Sequence, residues 1–154
     1  MLVNKAYIAL GTNVGNWKNN FNQSFQKISK IGLIKKFSSF YLSLPYGYQN
    51  QDCFYNTAIE IETNLNPIQL LDSVKTIERK TGRNTNNSHN MPRTLDLDIL
   101  SMGDILIRTN VLEIPHPKIA ERKFVLKPWN DIAPTYVVPI LNNDISGLLK
   151  ITKD

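Results

Sequence analysis

The stretch PRTLDLDIL, residues 92–100, sets two carboxylates two residues apart inside an otherwise aliphatic run. Leu95, Leu97 and Ile99 alternate with Asp96 and Asp98. That period of two is the signature of a strand, so both aspartates project from one face and the aliphatic residues fill the other. Desolvating a carboxylate is costly without a compensating partner. Two held side by side repel, and one takes up a proton unless a cation intervenes. Mg²⁺ is the natural remedy, because it takes oxygen ligands and is usually held by one or two carboxylates plus substrate phosphates. A half-exposed strand with a solvated face shows the same short pattern, so the neighbours must decide.

The chain around this strand has 154 residues, enough for one domain with a core of its own. A hydrophobic fraction of 42% and a charged fraction of 20% read as globular. Cys53 is the only cysteine, which rules out an intramolecular disulfide and suits a reducing cytoplasm. No stretch is long and apolar enough for a signal peptide or a membrane span, so no membrane partner is expected. A formal charge of +5 favours an anionic ligand.

Outward from the strand, the chain alternates elements of both kinds. Lys5 to Leu10 reads as a buried first strand, followed by the loop GTNVGN. Phe21, Phe25, Ile28 and Ile31 stand at helical spacing, which predicts a helix over Asn19 to Ile31 ended by Gly32. A strand is expected within Leu33 to Leu42, then a loop from Ser43 to Asp52, then an alternating strand from Phe54 to Thr63. Asn66 and Pro67 open a second helix that Gly82 ends. The polar run Arg83 to Asn90 is expected to be mobile and to close over ligands. After the aspartate strand come a hairpin partner around Asp104 to Ile107, a short helix around Ile119 to Lys127, and an irregular tail with short strands. The order implies an α+β fold with a mainly antiparallel sheet covered by helices.

The residues near the carboxylates share a chemistry. Arg79, Arg83, Arg93 and Arg122 can make bidentate contacts to phosphate, and His116 sits between two prolines. Paired carboxylates with separate arginines suit phosphoryl-type transfer, yet the P-loop and the dinucleotide fingerprint are both absent. Phe54 and Asn56 share one strand face, a ring and an amide suited to the plane and edge of a heterocycle. Phe124 is a second candidate ring, although any single phenylalanine is more often core.

Together these motifs resemble the 6-hydroxymethyl-7,8-dihydropterin pyrophosphokinases of folate biosynthesis. The resemblance runs from AYIALGTN at Ala6 through SSFYLSLPYG, QDCFYNTAIEIET and PRTLDLDIL to PHP and ERKFVLKPW. It implies a ferredoxin-like fold, a monomeric catalytic unit, two Mg²⁺ ions, and the substrates ATP and 6-hydroxymethyl-7,8-dihydropterin. By the same resemblance Asp96 and Asp98 hold the metals, and Asp96 also faces the pterin. Arg83 and Arg93 act in catalysis on the phosphates. Glu78, Arg93, Ile99, His116 and Arg122 line the ATP side. Ser43, Pro45, Tyr46, Phe54, Asn56 and Phe124 line the pterin side. A bacterial member of the family has an arginine–tryptophan pair where this chain has His89 and Asn90, and a further arginine where this chain has Thr85. An ATP-contacting arginine of that member falls near Val111, for which Lys118 and Lys123 are the candidate replacements. In some organisms such a domain is fused to dihydropteroate synthase. Two other readings are a different Mg²⁺-dependent nucleotidyltransferase and a small basic nucleic-acid-binding module. The second leaves the two aspartates unexplained, since they would repel phosphate without a metal, so no nucleic-acid partner is expected.

Overall fold

The computed structural model describes residues 3–44, 51–81 and 94–153. Its frame is built from β1 (Asn4–Thr12), α1 (Trp17–Ile28), β2 (Leu33–Phe37), β3 (Tyr41–Ser43), β4 (Phe54–Thr63), α2 (Pro67–Lys80) and β5 (Asp96–Met102). The sheet runs β2-β4-β1-β5, with β3 also paired to β4, and every pairing in it is antiparallel. That order, with its antiparallel neighbours, is the ferredoxin-like arrangement implied by the resemblance.

Strand alternation divides the side chains between two cores. Ala6, Ile8 and Leu10 of β1, Ile59 and Ile61 of β4, and Leu97 and Ile99 of β5 pack under α1 and α2 against Phe21, Ile28, Leu70, Val74 and Ile77. On the other face Tyr7, Ala58 and Leu100 pack under α3 (Lys123–Ile132) and α4 (Ile145–Ile151) through Val125, Leu126, Trp129, Ile145 and Leu148. The sheet is therefore covered on both sides. The second face carries the aspartates at one end.

Local chemistry fixes the helix starts. Asn16 caps α1 by accepting from the Asn19 amide, so the helix begins two residues before the expected Asn19. Asn66 and Gln69 close a capping box on α2, with Pro67 in its first turn. Asp144 caps α4 by accepting from the Gly147 amide. This helix lies in a tail that its short length made read as irregular.

Other boundaries differ from the expectation for physical reasons. α1 ends at Ile28 rather than Ile31, and Gly32 serves close packing instead of a cap. A Cβ there would stand 2.9 Å from the Glu62 carbonyl oxygen and 3.2 Å from Cβ of Thr63. The expected strand within 33–42 is two strands, because β2 and β3 pair with different lengths of β4. The expected hairpin partner of the aspartate strand does not form. The chain turns at Gly103 in a left-handed conformation (φ 55°), and β6 (Ile107–Arg108) pairs instead with β7 (Glu113–Ile114). The helix expected over 119–127 is broken at Arg122, which is extended between a 3-10 turn (Ile119–Glu121) and α3. The tail also holds a small pair, β8 (Val137–Val138) with β9 (Asn143–Asp144). Gly82 and the run 83–90 lie outside the described residues.

The Gly32 contact is testable in isolation from the site. Gly32→Ala should destabilise the fold by about 1–3 kcal/mol in urea unfolding, since the new methyl meets backbone on β4. Unchanged stability would mean that the α1–β2 turn yields at no cost.

Candidate active site

Three neighbouring strands bring the site together at one end of the sheet. Asn56 on β4 lies opposite Gly11 on β1, and Gly11 lies opposite Asp96 on β5. Asp98 follows one step down the same face, opposite Ala9. Gly11 keeps the middle of this row open. A Cβ there would meet Asn56 Oδ1 at 3.4 Å and Phe54 Cδ1 at 3.9 Å. The row thus reads as an amide, a gap floored by backbone, and a carboxylate.

Asn56 is oriented, not merely present. Its Nδ2 donates to Ser43 Oγ at 2.7 Å, and the side chain is buried. Phe54 stands two residues earlier on the same face and is only partly buried. Phe124, also partly buried, rises from the first turn of α3 against the second core. The break in helix at Arg122 turns that side chain inward, where it is 9% exposed, with its guanidinium carbon 5.6 Å from the centre of the Phe124 ring.

Asp98 carries the electrostatic strain expected of the pair. Asp98 is pushed up to about 7, first by burial and then by the charge of Asp96, with Glu78 adding to it; Arg122 and Lys75 pull the other way. Glu78 is 1% exposed. Its Oε2 accepts the Leu97 amide at 2.7 Å, and Lys75 lies 3.5 Å from its Oε1. It therefore ties α2 to the backbone of the aspartate strand.

His116 lies beside the same strand, its amide donating to the Leu100 carbonyl at 2.8 Å. Its Nδ1 accepts the Lys118 amide at 3.1 Å, so the neutral ring carries its proton on Nε2. Burial first, then Arg122, hold the ring down to about 4. At neutral pH it is an uncharged hydrogen-bond donor. Ile99 is on the same strand, but its side chain belongs to the opposite core, so only its backbone can face a nucleotide. Pro45, Tyr46, Arg83, Arg93, Thr85, His89 and Asn90 lie outside the described residues.

A polar network not anticipated from the sequence braces this end. Thr12 Oγ1 donates to the Thr94 carbonyl. Asn20 Nδ2 donates to Thr12 Oγ1 at 2.9 Å and to the Val14 carbonyl at 2.8 Å. Asn13 Nδ2 reaches Gln51 Oε1 and the Asp52 carbonyl. The signal was present: Asn20 and Ser24 lie on the buried side of α1 with Phe21 and Ile28. A groove lined by Ser29, Gly32, Glu62, Thr63 and Ser73 lies at the opposite end of the sheet, away from these groups.

A ferredoxin-like sheet with a carboxylate pair, an amide, an open backbone floor and two rings near one end defines the class: a small α+β fold with a polar, partly aromatic site at the end of its sheet. The comparisons narrow the class. The sequence profile of the 7,8-dihydro-6-hydroxymethylpterin-pyrophosphokinase family matches residues 7–134. A Bacillus subtilis protein named 2-amino-4-hydroxy-6-hydroxymethyldihydropteridine pyrophosphokinase is 42% identical over 131 residues, 84% of this chain and 78% of that one. The folic acid synthesis protein FOL1 of Dictyostelium discoideum is 42% identical over 139 residues, 90% of this chain and 21% of that one. The chain thus spans about a fifth of that relative and 19% of its Pneumocystis carinii counterpart. A Plasmodium falciparum HPPK-DHPS crystal structure superposes with a TM-score of 0.78 at 19% identity, over 97% of this chain and 43% of that one. The chain belongs to the 7,8-dihydro-6-hydroxymethylpterin-pyrophosphokinase family.

The raised Asp98 gives a signed prediction. The folded state holds a proton that the unfolded chain releases near 3.8, so metal-free stability should fall as pH rises from about 4 to about 7. Asp98→Asn should flatten that slope in urea unfolding, and Mg²⁺ at alkaline pH should restore stability to the parent only. The same pH slope in Asp98→Asn would contradict this.

Proposed function

We propose that the chain transfers the terminal diphosphate of ATP to the hydroxymethyl oxygen of 6-hydroxymethyl-7,8-dihydropterin, in folate biosynthesis. The hydroxymethyl oxygen bonds to the β-phosphorus, the bond from that phosphorus to the α,β-bridging oxygen breaks, and AMP leaves as the hydroxyl proton is released. The observation that carries the reading is the row Asn56–Gly11–Asp96 across three strands. It puts an amide beside a carboxylate pair, so a heterocycle whose edge paired with that amide would carry its alcohol next to the phosphates.

The donor set fits Mg²⁺. Asp96 and Asp98 offer hard oxygen ligands on one face, and Asp98, raised by burial and by Asp96 against the pull of Arg122 and Lys75, would be relieved by a cation. Among the described residues no group of three or more histidine, cysteine, aspartate or glutamate side chains could hold a metal. That suits ions completed by substrate phosphates. Two such ions, held by the two aspartates, would supply neutralisation of phosphate charge.

The protein's own residues position and orient. Asn56, held by Ser43, would pair with the pterin edge, and Phe54 and Phe124 would stack on its faces. His116 would donate through Nε2 to the nucleotide, and Arg122 would contribute charge beside it. Arg83 and Arg93 would contact the phosphates, with Glu78 and the Ile99 backbone on the ATP side and the Pro45–Tyr46 backbone on the pterin side. The work is positioning and charge neutralisation. The unit would act in the cytoplasm as a monomeric domain, alone or joined to dihydropteroate synthase, as in the falciparum HPPK-DHPS chain. No helix among the described residues is long and apolar enough to cross a membrane. The nucleic-acid reading loses its aromatic platform, since Tyr55 faces away from Phe54 and stacks on Trp17 at 4.3 Å.

Asp96→Ala and Asp98→Ala should each abolish pterin-dependent conversion of ATP to AMP while the circular dichroism spectrum is unchanged. Near-normal turnover in either would sink the two-metal reading. Asn56→Ala should weaken pterin binding by about 1–3 kcal/mol and leave ATP binding nearly unaffected, because only the heterocycle edge loses its partner. Equal loss for both ligands would make Asn56 a structural residue.

A further inference from the structure

One polar cluster outside the site joins the end of α3 to the segment that carries β3. Asp131, near the end of α3, accepts from the Tyr41 hydroxyl at 2.8 Å and from the Ser39 amide at 3.2 Å. One residue on, the Ile132 carbonyl accepts from Lys36 Nζ at 3.4 Å. These bonds tie the end of α3 to the strap formed by 36–43. The strap is also fixed to β4. Ser38 exchanges main-chain and side-chain hydrogen bonds with Ala58, and its hydroxyl lies 2.9 Å from Thr57 Oγ1.

The register connects this cluster to the ligand gap. Tyr41 pairs directly with Asn56, and Ser43 pairs with Phe54. Ser43 is also the acceptor that orients Asn56. On the helix side, Phe124 and Asp131 are seven residues apart in α3. That is about two turns, so they share a face and lie roughly 10 Å apart along the axis. On the reading of Phe54 and Phe124 as the two rings of the planar site, Asn56 and Ser43 belong to its strand side and Phe124 to its helix side. The Tyr41–Asp131 bond is the side-chain link nearest in register to Asn56 among the three that join α3 to the strap.

We infer that Tyr41 and Asp131 are positioning residues for the planar substrate: their bond holds α3 at a fixed distance from β3 and β4, and so sets the width of the gap between Phe124 and Asn56. The inference rests on the reading of that gap as the pterin site. A purely structural staple on the surface would predict something different. Losing it would lower stability and affect both substrates alike, or neither. A width-setting link acts on the ligand that fills the gap and spares the one at the phosphate end.

The test is calorimetric titration of full-length protein with 6-hydroxymethyl-7,8-dihydropterin in the presence of Mg²⁺ and a non-hydrolysable ATP analogue, and with that analogue alone. Parent, Tyr41→Phe, Asp131→Ala and the double variant are compared. Asp131 is exposed and Tyr41 partly so, and both variants should fold. The expected result is a roughly tenfold weaker pterin Kd in Asp131→Ala, an analogue Kd within about twofold of the parent, and no further loss in the double variant, as for two groups acting through one bond. Pterin binding unchanged in the variants, or equal weakening of both ligands, overturns the inference and leaves the functional reading standing. Failure of the parent itself to bind pterin overturns the functional reading, and the inference with it.

Discussion

Two carboxylates on one face of a buried strand are the constraint from which this structure is best understood. Asp98 is held well above the ordinary carboxylate range by burial and by Asp96. A protein that keeps such a pair without neutralising it loses stability at neutral pH, and a bound cation would reverse that loss. The elements nearby hold the pair in place. β1 sets its register, Glu78 accepts the Leu97 amide between the two aspartates, and His116 bonds the backbone at Leu100.

The same face shows how a small sheet separates an amide from a carboxylate pair. Strand register puts the Asn56 amide two strands away from the Asp96 carboxylate, with only Gly11 between them. Burial and Arg122 keep His116 neutral at physiological pH, so it adds a donor without adding charge. Arg122 itself reaches the site only because the backbone is extended between the 3-10 turn and α3. A continuous helix through 119–127 would place that residue differently.

Much of this was legible in the sequence, and the rest was hidden for identifiable reasons. The period of two in PRTLDLDIL and in Phe54 to Thr63 assigned faces correctly, because side-chain alternation is a local property. The Asn66–Pro67 start of α2 was legible for the same reason. The failed hairpin at Asp104 and the early end of α1 depend on contacts distant in sequence: β7 recruits β6, and Glu62 crowds Gly32. Within the site, residue types and spacing pointed to Asp96, Asp98, Phe54 and Asn56. They gave no hint that Glu78 would bond the strand's backbone, and the polar residues on the buried side of α1 did not say that Asn20 would reach Thr12, or Thr12 the Thr94 carbonyl. Those roles are set by which helix lies over which strand end.

The central claim is that this sheet face joins a pterin alcohol to the β-phosphorus of ATP. The most direct measurement is ³¹P NMR of the purified protein with Mg²⁺, ATP and 6-hydroxymethyl-7,8-dihydropterin, followed to completion. The account predicts AMP and a pterin diphosphate ester in equal amounts, with no AMP when the pterin is omitted. ADP as the nucleotide product, or AMP formed at the same rate without pterin, would contradict it.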